Sequence, residues 1–211
     1  MRKVPLAATV AIAAVTGVVS GFFLLSPWND LAIVGAGFIP ARVSGLAGLG
    51  EGMVGVPALL TPLTAILLHE QILGLIFDLF VLVFLGRQVE QALGVKGLVT
   101  LYAAATALSA LARWAVAPDS LEPMVGAFGP VAAMLAAYSM LYGDARTSAV
   151  GPFSARTIQA LWLGVVWAAI CLAMGIGAPS GMLVSASAPI AGFIVGLVLT
   201  RPLLLWRWRK A

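Results

Sequence analysis

The chain is a succession of apolar stretches long enough to cross a lipid bilayer, and nothing else in it limits the possible folds as strongly. Val4 to Leu25 holds no charged side chain. A hydrocarbon core about 30 Å thick needs about 20 apolar residues in helical form. Six such segments are predicted, at residues 4–25, 72–86, 97–117, 124–142, 157–176 and 182–205. Backbone groups in lipid must hydrogen-bond within the protein, so each segment is expected to be a helix. The alternating pattern of a membrane β-barrel strand is absent. The expected fold class is an all-α polytopic membrane protein, one domain over residues 1–211.

Composition narrows the function classes. Hydrophobic residues make up 62% of the chain and charged residues 9%, against about 25% charged in soluble domains. There is too little polar surface to coat a water-soluble globule. A soluble enzyme and a nucleic-acid-binding module are excluded, and the lipid bilayer is the first partner. The net charge of +4 then reads as an orientation signal. With the N-terminus inside, Arg2, Lys3, Arg87, Lys96, Arg146, Arg156, Arg201, Arg207, Arg209 and Lys210 fall inside, and only Arg42 and Arg113 fall outside. Both termini are expected to be cytoplasmic. Met1-Arg2-Lys3 resembles the start of a signal peptide, but the apolar run behind it exceeds a signal-peptide core and is expected to stay as the first span. Cys171 and His69 are the single cysteine and histidine. No internal disulfide is possible, and no metal site or cofactor is expected.

The connection over residues 26–71 is rich in Gly and Pro yet carries Leu31, Ile33, Val34, Phe38, Ile39, Leu59 and Leu60. A long apolar loop is uncommon and usually functional. It is expected to lie half in the membrane, with short helices at the interface.

Several motifs occur in a telling order. Gly37-Phe38-Ile39-Pro40-Ala41-Arg42 is followed by Val56 to Thr64 with its paired prolines and threonines, then Leu68-His69. Phe84-Leu85-Gly86-Arg87-Gln88-Val89-Glu90 with Leu93-Gly94 closes the second segment, and Leu101-Tyr102 marks the third. Pro123-Met124-Val125-Gly126-Ala127, Gly129 and Ala137-Tyr138 mark the fourth, and Gly192-Phe193-Ile194-Val195-Gly196 the sixth. Together, from Gly37 to about Pro202, these resemble the rhomboid intramembrane serine proteases. The resemblance implies a six-helix rhomboid-like bundle with a membrane-associated first extracytoplasmic loop, in a bacterial inner (cytoplasmic) membrane.

The family's chemistry does not carry over. Its nucleophile is the Ser of G-x-S-G, and the four positions here read Gly126-Ala127-Phe128-Gly129. The position of its general base, a His in the sixth span, holds Pro189. The positions of its oxyanion stabilisers, a His and an Asn in the second span, hold Gly74 and Asp78. No catalytic residue is assigned. Asp78, Phe128 and Pro189 are the candidate contacts for a client helix. For Asp78 the plainer reading is a buried protonated carboxyl bonded to a neighbouring helix, and for the other two it is repacking after catalysis was lost. Pro189 removes one helical hydrogen bond and is expected to kink the last span. Gly126, Gly129, Gly192 and Gly196 are assigned to close internal helix packing. Arg87 and Glu90 share a helix face and form a candidate solvated pair, while the resemblance implies that Glu90 ties the cytoplasmic helix ends together. His69, beside Glu70, is read as exposed. The expected function is a pseudoprotease that binds transmembrane segments of client proteins. The alternatives are an active rhomboid intramembrane serine endopeptidase and a small-solute transporter.

Overall fold

The computed structural model describes residues 7–50, 52–142, 151, 154–174, 176 and 181–209. Arg2, Lys3, Arg146 and Lys210, which entered the charge reading above, lie outside the described residues. The described residues form eight α-helices: α1 (Ala7–Leu24), α2 (Asn29–Ala36), α3 (Pro40–Val43), α4 (Thr61–Ala65), α5 (Ile72–Val116), α6 (Phe128–Tyr142), α7 (Ala155–Met174) and α8 (Met182–Trp208), with a 3-10 turn at Ala58–Leu60. Among the described residues there is no strand, only a single antiparallel bridge between Phe38 and Met124. Helices α1, α5, α7 and α8 are long and apolar enough to cross a membrane, and α6 is a shorter apolar helix. Their outer faces carry exposed apolar side chains such as Val18, Leu73, Trp162 and Val198, a surface that is stable in lipid and not in water.

Residues 87–96, expected as a connection between two spans, are helical instead. The helix is interrupted only at Gly94, whose φ of 75° and ψ of 169° break α5 into two arms. Glycine reaches this conformation without a Cβ clash. The polar residues Arg87, Gln88, Glu90 and Gln91 read as a loop by hydropathy, but they are good helix formers. Both arms feed one core: Leu82, Leu85 and Val89 from the first meet Leu98, Leu101 and Ala105 from the second. The sixth segment runs on to Trp208, and its helix continues through Pro189 and Pro202 without a break.

Helix α6 sits at the centre, with Gly129 to Ala133, Met134, Ala136 and Ala137 all buried between α5 and α8. Close approach explains the small residues. A Cβ at Gly192 would collide with the Gly129 backbone, and one at Gly196 would lie 2.7 Å from the Ala136 Cβ and strike the Ala133 carbonyl. Apolar lipid supplies no hydrophobic drive between helices, so such backbone contact is the main source of attraction. Gly126 takes no part in this seam. It lies before α6, at φ 92°, in the turn that leads into the helix.

The connection over residues 26–71 is ordered around Arg42. Its guanidinium donates to the carbonyls of Val34 (3.3 Å), Gly35 (3.3 Å) and Val56 (2.7 Å). Thr64 Oγ1 donates to the Ala36 carbonyl at 2.6 Å. A loop with its carbonyls satisfied by its own side chains can lie against apolar surroundings.

The buried face of α1 is polar. Its buried residues are Ala8, Thr9, Thr16 and Ser20. Thr9 is held by Glu90 of α5. That carboxylate accepts the amides of Ala8 (3.0 Å) and Thr9 (2.8 Å) and the Thr9 hydroxyl (2.6 Å). Glu90 is fully buried while Arg87 is exposed, so the candidate pair between them does not form. The free amides at a helix start carry partial positive charge and outcompete a solvated guanidinium for a buried carboxylate.

Candidate functional site

A polar cluster lies where α5, α6 and the connection meet, around Asp78. Asp78 is 1% exposed on the first arm of α5. Its Oδ2 accepts the Ala127 amide at 2.8 Å and lies 3.0 Å from His69 Nε2. His69 is 3% exposed, which corrects its reading as an exposed side chain. Its Nδ1 is 2.8 Å from Ser20 Oγ, and Ser20 also donates to the Leu67 carbonyl at 2.7 Å. The connection ends at Gln71, just before α5 starts at Ile72, and the imidazole meets a side chain about 1.7 turns up that helix. Burying a polar group is costly unless it is hydrogen-bonded, and here Oδ2 has two partners while Oδ1 has none in the protein.

Gly74 lies beside this imidazole: a Cβ there would be 3.9 Å from His69 Cδ2. Phe128 opens α6 and stays 38% exposed. Its ring leans on the preceding turn, 3.0 Å from where a Gly126 Cβ would lie. The Gly126 amide donates to the Ala65 carbonyl at 3.0 Å, so the turn is tied to α4 as well as to Asp78. Pro189 is buried on α8. The carbonyl before it, of Ala188, accepts the Ser109 hydroxyl at 2.8 Å, and Ser109 packs against Gly129.

The structure therefore gathers Gly74, Asp78 and the 126–128 turn around one imidazole. Pro189 reaches the group indirectly, through Ala188, Ser109 and Gly129. Sequence reasoning missed Ser20 and the Ala127 amide. The signal for Ser20 was present as hydroxyls at 9, 16 and 20, spaced to share one face of an otherwise apolar helix. A backbone amide leaves no mark in a sequence. Among the described residues no three His, Cys, Asp or Glu side chains converge as a metal ion requires.

One flank of the bundle is open. Helix α7 packs on α6 and α8 and not on α5. Its buried residues are Ala160 and Cys171. Between α5 and α7 runs an apolar groove of about 230 Å³, lined by Phe77, Phe80, Phe84, Leu135 and Trp167 among others. Phe80 and Phe84 stack with ring centres 6.1 Å apart.

A family model described as the Rhomboid domain matches residues 56–206. No curated protein matches the chain.

Proposed function

This chain belongs to the rhomboid family, and on that premise we propose that it is a proteolytically inactive member that binds transmembrane segments of other membrane proteins. It is an integral membrane protein. In the proposed topology α1, the two arms of α5, α6, α7 and α8 make six spans of one membrane domain. Both termini are cytoplasmic, and the membrane is a bacterial inner membrane.

The observation that carries the inactive reading is the bond from the Ala127 amide to the Asp78 carboxylate. Acyl transfer builds negative charge beside the nucleophile, and the site must offer it hydrogen-bond donors. Here a carboxylate already occupies the amide next to position 128. It presents negative charge where negative charge would have to develop. Phe128 and Pro189 supply neither a nucleophile nor a base. The binding reading draws on the groove between α5 and α7, whose aromatic walls face lipid and suit an apolar helix.

The test is a photocrosslinking amino acid at position 80, on the wall of that groove, in native membranes, read by mass spectrometry. A discrete set of proteins joined through their spans is expected. Lipid adducts alone would overturn the binding reading.

A second reading, proteolysis through another serine, has one observation in its favour: Ser20, His69 and Asp78 lie in a hydrogen-bonded line. Ser20 is fully buried and its hydroxyl is spent on Leu67. A serine-reactive fluorophosphonate is expected to leave the protein unlabelled, and labelling that maps to Ser20 would establish this reading instead.

A further inference from the structure

The two ends of the bundle differ in charge. Asp30, Glu70, Asp119 and Glu122 lie in the stretches that join α1 to α5 and α5 to α6, which the bridge from Phe38 to Met124 holds together. At the other end α5 bends at Gly94 and α8 finishes. The described residues there include Arg87, Lys96, Arg201, Arg207 and Arg209. The acid beside them is Glu90, which is fully buried and spent on Ala8 and Thr9 of α1. Among the described residues the ion pairs are His69 with Asp78 and Arg113 with Glu122. None of the cations at the bend is paired with a described carboxylate.

Three of these cations converge. Arg207 donates to the Gln91 carbonyl, and its side chain lies across the bend: a Cβ at Gly94 would be 3.7 Å from its Nε. A guanidinium has five N–H donors, and this bond uses one. Lys96 is exposed and two residues beyond Gly94. Consecutive Cα atoms are about 3.8 Å apart, so its Cα is within about 8 Å of that of Gly94, one Debye length at physiological ionic strength. Arg87, also exposed, is four residues before Gln91 and shares its face of the first arm. The depth of the cluster follows from its flanks. Trp206 and Trp208, on either side of Arg207, are 40% and 68% exposed, and tryptophan settles where lipid meets water.

We infer that the bend of α5 and the last turn of α8 form a docking surface for an anionic phospholipid, with its phosphate between Arg207 and Lys96 and Arg87 at the flank. Cations at headgroup depth with no carboxylate of their own draw negative charge from the bilayer. A zwitterionic lipid brings its own cation to a surface that already has several. The inference lies outside the client-binding reading and stands without it.

The test is native mass spectrometry of the full-length protein in detergent, titrated with phosphatidylglycerol or with phosphatidylcholine. The dissociation constant of the first bound lipid is the readout. Phosphatidylglycerol is expected to bind more tightly. Lys96→Gln should weaken it by about fivefold, the effect of one basic residue at an anionic surface, and leave phosphatidylcholine unchanged. Arg201→Gln removes the same charge from α8 about 9 Å before Arg207 and about 120° around the helix. It is expected to leave the first phosphatidylglycerol in place. Equal affinity for the two lipids would overturn the inference. So would an equal loss in the Lys96 and Arg201 variants, which would mean diffuse attraction to a basic end with no site at the bend. If Lys96→Gln fails to fold, Arg87→Gln is compared with Arg201→Gln in its place.

Discussion

Two buried carboxylates stand at opposite ends of one helical arm, about 18 Å apart along α5, and they are satisfied in different ways. Glu90 is fully buried, and both its oxygens are used: Oε1 by the Ala8 amide, Oε2 by the amide and hydroxyl of Thr9. Asp78 is as deeply buried but puts both its partners on Oδ2, leaving Oδ1 with no protein partner. Glu90 meets a helix start, whose amides fill both its oxygens. Asp78 meets an imidazole and one amide at a single oxygen. One end of the arm is a fixed joint with every acceptor atom used, and the other leaves one acceptor atom without a protein partner.

Mutations can sharpen or break this contrast. Glu90→Ala should have the largest effect, because it strands two buried amides and a hydroxyl. Its cost should be about 3–5 kcal/mol, as expected when several buried donors lose one shared charged acceptor. Unfolding in detergent with increasing denaturant should show it, and a loss below that of the Asp78 variant would reverse the ranking of the two ends. Asp78→Asn should be smaller, about 1–3 kcal/mol, yet not neutral. A side-chain amide has one acceptor atom and one donor atom, whereas Oδ2 must accept from Ala127 and meet Nε2 at the same point. The same unfolding experiment applies, and an Asn variant as stable as the parent would show that the charge at this end is dispensable. Arg87→Ala should change stability by less than about 0.5 kcal/mol, since Arg87 is exposed and Glu90 ignores it. A larger loss would mean that the fixed joint leans on the guanidinium after all.

How far the sequence disclosed the fold depended on which physical signal each region carried. Hydropathy marks α1, α7 and α8 to within a few residues because lipid demands length and apolarity over a whole helix. It misread residues 87–96, since a polar helix and a polar loop have the same hydropathy, and only the glycine at 94 carried the break. It also began the fourth segment at residue 124, where the chain is still extended and bridged to Phe38 before α6 starts at Phe128. The site was less legible. The positions of Gly74, Asp78, Phe128 and Pro189 follow from motif spacing. Their partners do not, because Ser20 and His69 are 49 residues apart and the Ala127 amide is invisible in sequence. Hydrophobic patterning records which face is buried, but not which buried polar groups find one another.

The broken helix at Gly94 has a consequence for how one element serves the core twice. As an unbroken rod, the 45 residues of α5 would extend about 68 Å, more than twice the hydrocarbon thickness. A rod of that length could not bring Leu82 and Leu85 into the same core as Leu98 and Leu101, as the two arms do. Arg207 of α8 donates to the Gln91 carbonyl beside the corner, so the bend is tied from a helix other than the one that makes it.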